Sequence, residues 1–446
     1  MKKIYLNNKF LIFVSVLLFC FCANAELFKV HEFSLNNGLQ VVVVENHKAP
    51  IIKQMLWYNV GAIDDGLGKG GRAHFLEHLM FRGTDKLKDG EFNNLMEKNG
   101  VSHNAFTSYE FTAYHEFSDI SKLELLMAVE ADRMKGLNFD EAAFETEKKV
   151  VIQERKQVVE NNPAAPFYER LRHMIWGNQP FGRPVTGLIE EIEELSYQDV
   201  RDFYERYYAP NNTVLVLAGD IDAETAKILA EKYFGAIKAV KIKRNPMPVL
   251  KEKFSQRLEM TLPNIQTAKI VEEYILPTYA ELGGNHQNYD ALAEYLGGGQ
   301  TSALYRNLVL ERRIAVSVSA SFDPISRTNT SFSLSLIPAD GVSASKAEQA
   351  LHESLEKAIS ELDEQKVASL KKKLVADLVY INDNPSDSAY LVGTLIVSGL
   401  SLEYLKNYEA DVKKISLKGV KDAYREVFFN SAKATGILLP QSEDEK

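Results

Sequence analysis

The segment LSYQDVRDFY at residues 195–204 returns, altered, as ISLKGVKDAY at 415–424. Ser196, Val200, Asp202 and Tyr204 fall on Ser416, Val420, Asp422 and Tyr424, an offset of 220, and each copy is followed by an apolar run that reads as a strand. A second match has nearly the same offset: Asn162, Pro163 and Tyr168 fall on Asn384, Pro385 and Tyr390, 222 residues on. Two near-equal offsets in the same order predict a duplicated unit. The length of 446 residues then divides into two domains of one fold, each of roughly 200 residues.

Periodicity fills in the unit. LFKVHEFSL, LQVVVVEN and IIKQMLWYNVGA read as strands. Helices are expected at about 71–82, 89–98, 121–136, 140–159, from there to Trp176, near 197–208 and near 222–234. SHNAFTSYEFTAYHEF reads as two short strands joined by a turn, and Asn161-Asn162-Pro163 stops the long helix. Strands grouped with helical pairs predict an α+β fold with mainly antiparallel sheets. Residues 236–253, with prolines and a cluster of lysines, read as a linker between an N-terminal domain at 26–235 and a C-terminal domain at 254–446.

The first 25 residues are expected to be a cleaved export signal. Lys2, Lys3 and Lys9 precede the apolar run FLIFVSVLLFCFC, and Ala-Asn-Ala stands before Glu26. The run is too short to span a bilayer comfortably, so no membrane span is expected after cleavage. Cys20 and Cys22 are the chain's two cysteines and both lie in this leader, so the exported protein is expected to fold without disulfides. Loss of the three lysines moves the formal charge from -9 to -12. An acidic chain of this kind argues against nucleic acid and anionic lipid as partners. The bacterial periplasm is the expected destination.

Chemistry concentrates in GRAHFLEHLMFRGT, residues 71–84. On a helix, His74 and His78 share a face at i and i+4, and Glu77 lies beside them. A pair of satisfied core histidines is the plain alternative. The full HxxEH pattern, the inverted zincin arrangement, points instead to zinc. Zinc wants a third protein ligand and an open position for water. The helix ETEKKVVIQERKQVVENN offers Glu147 and Glu154, seven residues apart and so on one face, and spacing does not choose between them.

RAHFLEHLMFRGT, NAFTSYEFTAYH, ETEKKVVIQERKQVVENNP, PFGRPVTG and, in the second half, LGGGQTSALYRNL stand in the order of the pitrilysin/insulinase family of zinc peptidases. The resemblance covers essentially the whole chain after the leader, at the length of the short two-domain branch that includes mitochondrial processing peptidase. It implies the metallohydrolase fold of that family, one Zn²⁺ per chain, and hydrolysis of peptides or extended, unfolded segments. It makes Glu154, 76 residues after His78, the third ligand beside His74 and His78, with Glu77 as general base. Glu147 matches the family's other glutamate, a carboxylate standing behind the ligands. Substrate is implied to add as a strand near SHNAFTSYE, with contacts at Asn104, Ala105 and Phe106 and a weaker case for His103.

Two departures matter. The second half has no HxxEH, and Glu154 falls on Ala376, so that half is expected to be a chamber wall. Active relatives place an arginine and, seven residues later, a tyrosine where this chain has Val309 and Val316. The expectation is therefore a zinc-bearing subunit of a heterodimer whose family-related partner supplies both groups. A non-catalytic scaffold subunit is the competing reading, weakened by the intact zinc residues.

Overall fold

The computed structural model describes residues 28–441 apart from 245, 248 and 285; the expected leader lies outside them. Among the described residues, eleven strands form two sheets. The first half supplies β1 (Val30–Ser34), β2 (Gln40–Glu45), β3 (Ile51–Tyr58), β4 (Ser102–Thr107), β5 (Thr112–Asp119) and β6 (Thr213–Gly219). The second supplies β7 (Ser255–Leu262), β8 (Lys269–Thr278), β9 (Ala315–Asp323), β10 (Asn329–Pro338) and β11 (Ala432–Pro440). Their orders are β1-β2-β6-β3-β5-β4 and β7-β11-β8-β10-β9. Taken from β2 onward, the first order is the second, strand for strand. The one parallel pair of each sheet also corresponds, β2 with β6 and β7 with β11, and the remaining pairs are antiparallel. The duplication and the α+β class expected from sequence are both present.

The repeated residues explain why they repeat. Ser196 opens the helix Tyr197–Tyr207 by accepting the N–H of Asp199 at 3.2 Å, and Ser416 opens Leu417–Arg425 by accepting that of Gly419 at 3.0 Å. Such a cap satisfies a donor that a helix start leaves bare, about 1 kcal/mol each. Val200 and Val420 are wholly buried, and Tyr204 and Tyr424 nearly so. Asn162 and Asn384 turn the chain at equivalent helix breaks, accepting the N–H groups of Ala164 and Ser386.

The helices after those breaks cross over between halves. Ala165–Trp176, from the first half, packs on the second sheet, where Phe167 and Leu171 meet Val271, Ala434 and Leu438. Pro385–Val397, from the second half, packs on β3 and β6 of the first sheet. Gly393 there touches the Trp57 indole so closely that a Cβ would lie 2.1 Å from its ring. The equivalent tyrosines follow: Tyr168 lies under Lys269 of β8, whereas Tyr390 packs on Trp57 and Phe106 of the first half.

No helix or strand occurs between Phe234 and Ser255 among the described residues. The segment is nonetheless fastened at both ends. Arg244 donates to the carbonyl of Asn59 and the side chain of Asn212, and Leu250 N–H donates to Asn329 Oδ1 at 2.7 Å. A linker reading from composition misses these anchors because each partner is far away in sequence.

Candidate metal centre and active site

Two helices build the site. The first, Arg72–Leu79, carries His74, Glu77 and His78. It begins where Gly71 takes a left-handed conformation, φ 83°, with Thr186 so near that a Cβ would stand 2.5 Å from its carbonyl oxygen. The PFGRPVTG motif thus closes on the start of the histidine helix. Asp65 caps that helix from six residues upstream, accepting the N–H groups of Gly71 and Ala73, both at 2.8 Å. Phe75, Leu76 and Leu79 are fully buried and fix its rotation.

The second helix, Glu141–Asn161, begins with Asp140 accepting Ala143 N–H at 2.8 Å. Glu147 and Glu154 do share its inner face, with buried Val151 between them. They meet opposite sides of the imidazoles. Glu154 Oε2 is 3.0 Å from His78 Nε2, and its Oε1 is 3.7 Å from His74 Nε2. Glu147 Oε1 is 2.9 Å from His78 Nδ1, and its other oxygen pairs with Arg82. Tertiary packing therefore separates two carboxylates that helical spacing leaves equivalent.

The donor set fits a zinc ion. His74, His78 and Glu154 each offer a ligand atom within 4.8 Å of the others. Donors about 2.1 Å from a tetrahedral ion stand roughly 3.4 Å apart, and the 3.0 and 3.7 Å separations bracket that distance. The two Nε2 atoms and the Glu154 carboxylate thus face one another across the place an ion would take. Burial and the charge of His78 lower the His74 pKa to about 4, favouring the neutral form a metal needs. Burial also pulls on His78, but Glu147 and Glu154 outweigh it and hold its pKa at about 9. His78 Nδ1–H donates to Glu147, which orients the ring and leaves Nε2 for the ligand position.

Glu77 points to the same place from the side. Thr107 Oγ1, at the end of β4, donates to Glu77 Oε2 at 2.5 Å. Burial raises the Glu77 pKa, and the Thr107 bond and the charge of His78 only partly offset it. Thr107 and Asp65 were not singled out in the sequence, since neither belongs to HxxEH; Thr107 lies inside NAFTS, and its role depends on the register of β4 against β5.

β4 is the outer strand of its sheet, beyond β5. Asn104 is exposed on it, and its side-chain oxygen accepts Ala105 N–H at 2.9 Å. Phe106, two residues on and so on the same face as Asn104, packs against Trp57, Phe111 and Tyr390. His103 packs between Phe81 and Phe92. In the second half, Val309 packs against the core while Val316 is exposed on β9, the outer strand of that sheet.

Two sequence signatures of one family match successive parts of the chain. "Insulinase (Peptidase family M16)" matches residues 40–187, and "Peptidase M16 inactive domain" matches 194–374. The chain belongs to peptidase family M16. Its second signature is named for an inactive domain, in agreement with the absence of HxxEH there. "Zinc protease PqqE" of Helicobacter pylori is 28% identical over 428 residues, 94% of each chain. "Probable mitochondrial-processing peptidase subunit beta" of Schizosaccharomyces pombe is 30% identical over 213 residues, 48% of this chain and 46% of that one. The crystal structure of a protease from Helicobacter pylori superposes with a TM-score of 0.85 at 26% identity, covering 93% of this chain and 100% of the other. The fold is that of a two-domain M16 peptidase, and relatives are named zinc proteases.

Proposed function

We propose that this chain is an exported zinc metalloendopeptidase that cuts peptides and extended, unfolded segments. The observation that carries the reading is the convergence of His74, His78 and Glu154 beside a Glu77 held by Thr107. Bound zinc would supply Lewis acidity toward a peptide carbonyl and a water acidified to a pKa near 7. The chain's own residues do the rest. Thr107 fixes one oxygen of Glu77, so the other takes the proton of the attacking water. Glu77 then delivers that proton to the leaving nitrogen as the C–O bond forms and the C–N bond breaks. Glu147 and Arg82 hold the His78 ring from behind.

Substrate would lie along β4 as an added strand, reading backbone rather than side chains. Asn104 and Ala105 would border it, and Phe106 would support the strand through the aromatic cluster between halves. Val309 and Val316 leave the second half without a charged group at those places, which supports a heterodimer whose partner supplies an arginine and a tyrosine. Export to the periplasm rests on the leader sequence; no helix among the described residues is long and apolar enough to cross a membrane.

Glu77→Gln should retain stoichiometric zinc while kcat for an unstructured peptide falls about 10³-fold or more. Unchanged kcat, or a purified protein without metal, would overturn the enzyme reading. Full activity of the purified chain alone, unaltered by a companion of the same family, would overturn the heterodimer.

A further inference from the structure

Three arginines from distant stretches of chain converge on a cavity of about 400 Å³ beside the glycine-rich loop that precedes the histidine helix. Arg183 comes from the PFGRPVTG loop, Arg244 from the connection between halves, and Arg327 from the β9–β10 turn. Arg183 is already matched: its Nη1 lies 3.2 Å from Glu191 Oε1. The guanidinium groups of the other two are hydrogen-bonded only to neutral acceptors among the described residues. Arg327 Nη1 donates to the neutral Asn59 Oδ1 at 2.9 Å. Arg244 spends Nη2 on Asn59 and Asn212, and its buried Nη1 makes no hydrogen bond among the described residues. Asp64 Oδ2 stands 3.8 Å from that Nη1, beyond hydrogen-bond reach.

Asp65 also borders the cavity, but its two oxygens are taken up in capping the histidine helix. Asp64 stands beside Arg244, and Glu110, which accepts the Arg327 backbone N–H, stands beside Arg327, so what the cavity leaves unmet is a donor, the buried Arg244 Nη1. Burial depresses the Arg244 pKa; Asp64 opposes this, and the nearness of Arg327 adds to it to a lesser degree. A buried donor left without an acceptor costs about 1–3 kcal/mol, more when charged. Pro180, Pro184 and Met247 make the remaining wall apolar.

We propose that this cavity binds one carboxylate carried on an apolar body, the chemistry of a peptide α-carboxylate whose last residue is apolar. Planar guanidinium groups suit a carboxylate, and a carboxylate oxygen would give the buried Arg244 Nη1 the acceptor it lacks. The site is separate from the metal centre yet joined to it. Its floor, Ala62 and Ile63, bonds to the carbonyls of Ser108 and Tyr109 at 3.1 and 3.0 Å, the turn that follows Thr107.

The test is calorimetric binding to zinc-loaded Glu77→Gln protein, using N-acetyl-leucine and its amide. The acid should bind at least tenfold more tightly than the amide. Arg244→Met and Arg327→Met, each added to that background, should weaken the acid at least tenfold. Both variants keep His74, His78 and Glu154, so binding that persists in both belongs to the metal and overturns the proposal. Equal binding of acid and amide, or tighter binding of inorganic phosphate, also overturns it. Arg327→Met lies in the other half and serves if Arg244→Met fails to fold. The readout is binding without turnover, so failure here leaves the peptidase reading untouched, and the reverse holds.

Discussion

The two halves each gather histidine and glutamate into a cluster, and the clusters differ in what completes them. In the first half, His74, His78 and Glu154 face one another, and among the described residues no lysine or arginine pairs with Glu154. In the second, Glu272, Glu348 and His352 are equally close. There, however, Lys433 Nζ and His352 Nε2 reach Glu272 Oε1 at 2.7 and 3.1 Å, and Tyr274 donates to its Oε2 at 2.6 Å. Arg257 grips Glu348 through two bonds of 2.8 and 2.9 Å. The second cluster is a closed ion-pair network in which the protein has supplied its own cations. Proximity of ligand-type residues does not by itself make a metal site: in the second cluster lysine and arginine already hold the carboxylates.

This contrast can be broken at several points. The largest effect is expected on metal content: His78→Ala should abolish stoichiometric zinc, whereas His352→Ala should leave it intact, as measured by atomic absorption on both proteins. Zinc lost from His352→Ala, or kept in His78→Ala, would erase the distinction. Next comes stability. Glu272→Gln takes the buried counter-charge from the half-buried Lys433 and should cost about 1.5–3 kcal/mol in urea unfolding, with zinc binding preserved.

The same residue has a pH signature. Burial pushes the Glu272 pKa up, but His352 and Lys433 overcome this and hold it at about 2. Because the folded value is depressed, its stabilisation is complete above the ordinary value of 4.5 and is lost as pH falls towards 2. The wild type should therefore lose on the order of 3 kcal/mol more than Glu272→Gln between those limits. Equal acid sensitivity of the two proteins would contradict the assignment.

Smaller effects probe the supports. Glu147→Gln should weaken zinc about 10- to 100-fold without removing a ligand, read by competition with a chelator. Gly393→Ala forces a methyl into the Trp57 indole and should cost about 1–3 kcal/mol. Its expected companion is a change in Trp57 fluorescence, since the strain falls where the halves cross.

Local pattern carried much of this molecule. HxxEH needs only helical spacing, so His74, Glu77 and His78 were legible at once. The repeat of Ser196, Val200 and Tyr204 at Ser416, Val420 and Tyr424 was legible because caps and core positions constrain sequence in the same way in both copies. The turn residues Asn162 and Asn384 were visible for the same reason.

What the sequence by itself determined was the duplicated α+β unit, the helix that presents the histidines, and a pair of glutamates on one helical face. Only the tertiary structure decided that Glu154 faces the imidazoles' Nε2 atoms while Glu147 stands behind, because that choice depends on how two helices 60 residues apart cross. It alone brought Thr107 to Glu77, set the helices Ala165–Trp176 and Pro385–Val397 on each other's sheets, and gathered Arg183, Arg244 and Arg327 around one cavity. Each of these is a contact between segments remote in the chain, and periodicity, which reports only on a residue's neighbours along its own helix or strand, has no means of encoding it.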